Sequence, residues 1–285
     1  MDKRILIGGA IAGAVGAGVL AYLLTRTKDH DYIRFENDSL ETSIRSFTHA
    51  ESGTTVDLVG AIHVAEKDYF DGIKAHLDSL DCVLYEAVVP AKGSQPSPHL
   101  ALLRKAYRIM ADELGLAYQM ETIDYKNLPA TWEHCDMTED EVAECGGLLY
   151  REWVRNSRLY KDVIDALDSE MDGAVQQVNT MRPAPGGMLS PLKTLAAKRL
   201  VHSAGNPLLQ KVGLLVPDVI LGTGVILEKR NAVVRSRLEE ITAAGEGKHV
   251  GVFFGALHLP DIEKYLVDEL GYEHTSTTWM PAWTP

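Results

Sequence analysis

Cysteine is scarce in this 285-residue chain. Cys82, Cys135 and Cys145 are the only three, and no two of them share a Cys-x-x-Cys spacing. That count provides neither a zinc ribbon nor a disulfide framework. Cys82 lies in an apolar run and reads as a small core residue, whereas the sequence leaves Cys135 and Cys145 open to pairing in an oxidising space. Positive charge is also sparse: 28 Lys and Arg face 40 Asp and Glu, for a net charge of -12, and no stretch concentrates the basic residues. Such a balance argues against general affinity for nucleic acid or an anionic membrane surface, so nucleic-acid binding is set aside. The chain also has no His-Glu-x-x-His, no Gly-x-Ser-x-Gly and no Gly-x-x-x-x-Gly-Lys-[Ser/Thr]. The signatures of zincins, α/β-hydrolases and P-loop proteins are therefore missing.

What is present is a repeated phrase. Val56-Asp57-Leu58-Val59 runs into Gly60-Ala61-Ile62-His63, and near the other end Val252-Phe253-Phe254 runs into Gly255-Ala256-Leu257-His258. Helix-like spacing follows each copy, near Glu66–Ser79 and Pro260–Leu270. A strand that ends in Gly and delivers a His past its carboxyl end matches an active-site loop, because open α/β sheets bind ligands at that edge. Two copies predict one site built from both ends of the chain.

One long apolar run stands apart. Ile5 to Leu24 carries no charge, and as a helix 20 residues reach about 30 Å, the thickness of a hydrocarbon core. Its length favours an uncleaved single-pass anchor over a signal peptide. Lys3 and Arg4 before the span place the N-terminus in the cytoplasm and the large domain outside it. Residues 1–30 are thus expected to be anchor and juxtamembrane segment, and 31–285 a single domain.

The expected fold is α/β, with a mixed, largely parallel central sheet flanked by helices. Residues 25–45 read as a connector into a first strand near Ile44–His49, and Glu51-Ser52-Gly53-Thr54 makes a turn into Thr55–Val59. Asp81–Glu86 is a second buried strand, which completes a βαβ unit. A helical insertion is expected over about 98–245, opening with a helix over Pro98–Leu116 and interrupted by a strand-like piece at Tyr118–Ile123. Thr138 and Glu141 resemble a capping box that starts a long helical region toward Asp172. The Arg182–Gly187 loop, helical spacing over Leu189–His202 and again over Val219–Ala243, and an edge strand at Tyr272–Trp279 complete the reading.

His63, Glu86 and His258 would all stand at carboxyl ends of parallel strands. Two imidazoles and a carboxylate form a common divalent-metal set with open positions for water and substrate. A bound ion would acidify its water and polarise a carbonyl; without metal, the same groups serve as general acid and base. Arg230, in Leu227-Glu228-Lys229-Arg230-Asn231, either clamps a substrate carboxylate or orients Glu86. Asp124, Tyr125 and Asp136 are weaker candidates for the same edge. His134-Cys135-Asp136 is discounted as a ligand run, since consecutive residues rarely converge on one ion, and Glu66 is read as a helix-start carboxylate.

Val59-Gly60-Ala61-Ile62-His63-Val64, Leu84-Tyr85-Glu86, Glu228-Lys229-Arg230-Asn231 and Gly255-Ala256-Leu257-His258-Leu259, in this order, resemble the TraB/PrgY–Tiki–GumN superfamily over roughly residues 43–280. The resemblance implies a paired Gly-x-x-His site in which His63, Glu86 and His258 are metal ligands and Glu86 and Arg230 take part in catalysis. It implies a membrane-anchored, metal-dependent hydrolase, a peptidase acting on a peptide or protein substrate, with manganese or cobalt as the ion and zinc as an alternative. Other members of the group are non-catalytic haem- or peptide-binding and regulatory proteins; here Met171, Met181 and Met188 would line a haem cleft. The apparent anchor at the N-terminus, with none at the C-terminus, departs from the group's pattern.

Overall fold

The structure, a computed structural model, describes residues 31–90, 114–145 and 223–284, together with residues 104, 105, 107, 108, 111, 112, 165 and 169. The Ile5–Leu24 span, the Arg182–Gly187 loop, the Leu189–His202 helix, the methionines at 171, 181 and 188, and the helical stretch toward Asp172 lie outside the described residues. Among the described residues no helix is long and apolar enough to cross a membrane.

The chain enters through a hairpin that the sequence reading took as a connector. Strand β1 (Ile33–Glu36) pairs antiparallel with β2 (Ser39–His49), with Glu36 opposite Ser39. The two loop residues, Asn37 and Asp38, have φ of 50° and 60°. Two consecutive left-handed residues form the turn whose twist matches that of paired strands, and Asn and Asp tolerate that conformation best after Gly. The missed signal was this short polar pair between two apolar-patterned runs.

The remaining elements follow in order. They are β3 (Thr55–Ala61), β4 (Val64–Ala65), α1 (Lys67–Asp78), β5 (Cys82–Tyr85), β6 (Ala117–Tyr118), α2 (Gln119–Thr122), β7 (Trp132–His134), α3 (Glu139–Cys145), α4 (Thr223–Ala244), β8 (His249–Gly255), α5 (Leu259–Asp268) and β9 (Tyr272–Trp283). β3, β8, β5 and β7 lie side by side, and all three of their pairings are parallel. β2 joins β3 antiparallel, and β9 lies antiparallel along the far side of β2. The architecture is therefore mixed α/β with a parallel half, as expected from the βαβ pattern. β8 sits between β3 and β5, so the two strands of that unit are next-nearest neighbours.

Two features depart from the expected helical centre. β7 lies inside the range assigned to the insertion, yet it forms the sheet's edge beside β5. The piece read as a strand at Tyr118–Ile123 is one strand residue followed by the single-turn helix α2. The capping box of α3 is present: Glu141 Oε2 accepts from the Thr138 backbone N–H at 2.7 Å, and Thr138 Oγ1 accepts from the Glu141 N–H at 3.3 Å. Residues 104, 105, 107, 108, 111, 112 and 114 are helical, as expected for Pro98–Leu116.

Helices cover both faces of the parallel half, which is why its strands are buried along nearly their whole length. α1 buries Tyr69, Phe70, Ile73 and Leu77, and α5 buries Leu259, Ile262 and Leu266. Two strand glycines mark the closest approaches. A Cβ at Gly251 would lie 2.8 Å from both Leu77 Cδ2 and Leu80 Cδ1, and one at Gly60 would meet Leu259 of α5 at 3.6 Å. Gly251 pairs with Asp57 and Gly60 with Phe254, three residues further along, so the two glycines face opposite sides. All three cysteines are free; Cys135 is buried, and burial pushes its thiol up to about 12.

Gly251→Ala should cost about 1–2 kcal/mol, because Leu77 and Leu80 are themselves buried and have little room to yield. Urea unfolding would show this as a lower midpoint at unchanged slope, and an unchanged midpoint would count against the close packing of α1 on β8.

Candidate functional site

The two copies of the repeated phrase lie side by side. β3 and β8 are parallel neighbours with Ala61 opposite Gly255, and the Ala256 N–H donates to the Ala61 carbonyl at 3.0 Å. Past this point the copies diverge. The first continues into β4, which pairs with β6. The second turns and enters α5, with His258 at the N-cap and Pro260 in the first turn, a position that suits proline. The phrase therefore delivers His63 on an extended segment and His258 at a helix start.

Each glycine has a steric reason. A Cβ at Gly60 would come within 3.2 Å of the Ser43 and Tyr32 carbonyl oxygens. A Cβ at Gly255 would come within 3.2 Å of Glu86 Oε2, the atom that accepts the Gly255 N–H at 2.5 Å. The second glycine thus lets the backbone approach a carboxylate.

Glu86 follows β5 directly and is the centre of the cluster. Its Oε1 accepts from Arg230 Nη2 at 2.5 Å and lies 3.3 Å from His258 Nε2. Arg230, from the middle of α4, also grips Asp136 through Nε at 2.9 Å and Nη2 at 2.7 Å. Its Nη1 lies 3.4 Å from His258 Nε2. The Glu86 and Arg230 side chains are each 14% exposed, and that of Asp136 is fully buried. Burial alone would push the Glu86 carboxyl up; His258, Arg230 and His63 outweigh it and hold the group well below its ordinary value. Burial likewise disfavours the Arg230 cation, and the Asp136 and Glu86 carboxylates reverse that effect and raise it. Two carboxylates face one guanidinium, with the His258 ring beside them.

The two histidines hold different places. His258 is buried, and its Nδ1 lies 2.6 Å from Asn231 Oδ1. His63 is partly buried; its Nδ1 lies 3.0 Å from Gln119 Oε1, and its ring packs against Tyr107 at 4.6 Å between centroids. Gln119 Nε2 donates to the Tyr125 hydroxyl at 2.8 Å, and its backbone N–H donates to the His63 carbonyl. Burial lowers the His63 imidazole below its ordinary value, Arg230 and His258 add to this, and Glu86 and Gln119 oppose it. Burial and the nearby Glu86 charge raise the Tyr107 phenol to about 12.

The structure thus brings His63, Glu86, Arg230 and His258 to one edge, and Asp136 and Tyr125 join them. Asp124 turns away to the Lys126 backbone N–H and to Asn127. His134, Cys135 and Asp136 diverge: His134 Nε2 bonds the Ala87 carbonyl at 2.6 Å while Asp136 holds Arg230. Glu66 is the N-cap residue of α1, without a side-chain cap. Sequence reasoning gave no role to Gln119 or Tyr107. Gln119 reaches His63 only because β6 pairs with β4, and no local spacing encodes that pairing.

Among the described residues, no group of three or more His, Cys, Asp or Glu stands ready as a cation seat. The donor chemistry of His63, Glu86 and His258 nonetheless suits a borderline divalent ion. The 3.3 Å separation of His258 Nε2 and Glu86 Oε1 fits two ligands of one ion.

Because the folded carboxyl of Glu86 lies below its ordinary value of 4.5, its stabilising contribution is present above about pH 4.5 and is lost as pH falls through the folded value. Glu86→Ala removes one of the two carboxylates on Arg230 and leaves the Gly255 N–H without its acceptor, which should cost about 1–3 kcal/mol at pH 7. Thermal melts from pH 3 to 8 should show the wild-type advantage shrinking at the acid end. An advantage constant with pH would contradict an ionised, paired Glu86.

No family model, no curated protein and no solved structure matches the chain, so the site stands on its own geometry.

Proposed function

We propose that this cluster is the catalytic centre of a hydrolase that cleaves an acyl bond of the peptide class. One observation carries the reading: a buried, ionised Glu86 is held by the Gly255 N–H, Arg230 and His258, at the edge where both Gly-Ala-x-His phrases end. The resemblance to the TraB/PrgY–Tiki–GumN superfamily supports it, and so does the position at the carboxyl end of a parallel sheet.

His63, Glu86 and His258 would hold a divalent ion, manganese or cobalt by resemblance. When bound, the ion would polarise the substrate carbonyl and bring its water toward a pKa of about 7. The chain's own groups divide the remaining work. Glu86, ionised well below neutrality, is a weak base and a strong anchor for positive charge. His63, its imidazole lowered by burial and its Nδ1 turned to Gln119, would offer the lone pair of its other ring nitrogen to the ion. Arg230 places fixed positive charge 3.4 Å from His258 Nε2, where it offsets negative charge that develops on the carbonyl oxygen. The same proposal takes Ile5–Leu24 as a single-pass anchor that keeps the domain outside the cytoplasm.

Purified protein should carry about one divalent ion per chain, and the His63→Ala/His258→Ala double variant should carry none. Cleavage of a peptide library with added manganese or cobalt should fall by at least about 100-fold in Glu86→Gln. Equal metal content in the double variant would sink the ion assignment, and equal cleavage in Glu86→Gln would sink the catalytic one.

A further inference from the structure

His258 is contacted on both ring nitrogens, and its partners decide which nitrogen keeps a proton. Asp261, in the first turn of α5, is a carboxylate and only accepts hydrogen bonds. Arg235 donates to its Oδ2, and Asn231 Nδ2 donates to the same atom at 2.7 Å. The Asn231 amide is thereby oriented, because the reverse placement would set its oxygen against the carboxylate. Its Oδ1 must be the atom that faces His258 Nδ1, 2.6 Å away. An amide oxygen only accepts, so Nδ1 carries a proton.

The other nitrogen meets two partners of opposite kind. Glu86 Oε1, 3.3 Å from Nε2, only accepts, and Arg230 Nη1, 3.4 Å away, only donates. A bare Nε2 suits Arg230, whereas a protonated or ion-bearing Nε2 suits Glu86. With Nδ1 committed to Asn231, Nε2 is the nitrogen that faces the charged cluster.

We propose that Asn231, oriented by Asp261, is a positioning residue that keeps the ring proton of His258 on Nδ1 and leaves the Nε2 lone pair facing Glu86 and Arg230. The purpose of this arrangement rests on the hydrolase reading; the arrangement itself does not. It is also the way a ligating imidazole is usually fixed, through a hydrogen bond on its other nitrogen. Asn231 is 1% exposed, so its amide cannot trade this partner for water.

The test is nitrogen NMR of the full chain with isotope-labelled histidine, freed of metal with EDTA, at a pH where the ring is neutral. His258→Gln assigns the resonances. Wild type should show the His258 proton on Nδ1. Asn231→Leu removes the acceptor at similar volume, and the proton should move to Nε2, where Glu86 accepts it. Asp261 is 46% exposed, so Asp261→Asn is a second variant suited to a case in which Asn231→Leu does not fold. Its carboxamide no longer dictates the Asn231 orientation, and the proton should divide between the two nitrogens. A wild-type proton on Nε2, or a proton that stays on Nδ1 in the folded variants, overturns the proposal. Failure of the hydrolase reading looks different: no peptide is cleaved, while the NMR result stands.

Discussion

Arg230 is a permanent cation placed where water hardly reaches. A guanidinium cannot escape burial by losing its proton, so the fold must bring anions to it. It draws Glu86 from the end of β5 and Asp136 from just past β7, and its own helix, α4, is thereby set against the carboxyl edge of the sheet. β7 has three residues and, among the described residues, one strand neighbour. The bidentate grip on Asp136 lies between the Cys135 to Tyr85 hydrogen bond and the Val89–Thr138 bridge, and ties this edge to α4. The site and the packing of this edge are therefore one arrangement. Any chemistry at Glu86 takes place in a cluster whose charges are already in position.

The glycines of the repeated phrase set distances. Gly60 leaves room for the carbonyls of Tyr32 and Ser43, and Gly255 lets a backbone N–H touch Glu86. Between them, the Ala256 to Ala61 hydrogen bond joins the two copies. The same letters nonetheless finish in different structures. Val64 and Ala65 find a strand partner in β6, while Leu259 and Pro260 start a helix. His63 and His258 consequently meet different partners, Gln119 with Tyr107 on one side and Asn231 with Arg230 on the other.

Much of the scaffold was legible because it obeys local rules. Apolar runs between turn residues marked β3, β5 and β8, and helical spacing marked α1 and α5. Thr138 and Glu141 spelled a capping box that the structure contains. The β1 hairpin was overlooked because its signal was two polar residues, Asn37 and Asp38, without a glycine. β7 was overlooked because three residues, Trp132 to His134, are too few to show a period.

By itself the sequence determined that His63, Glu86 and His258 lie past strand ends, because strand direction and the βαβ pattern follow from periodicity. Only the tertiary structure decided what those groups touch. That Arg230 holds Glu86 and Asp136, and that Gln119 and Asn231 hold the two imidazoles, depends on which strand lies next to which and how α4 is seated. Those choices come from burying whole faces against one another. Residues far apart in the chain are brought together by that burial, and no local spacing records the contact.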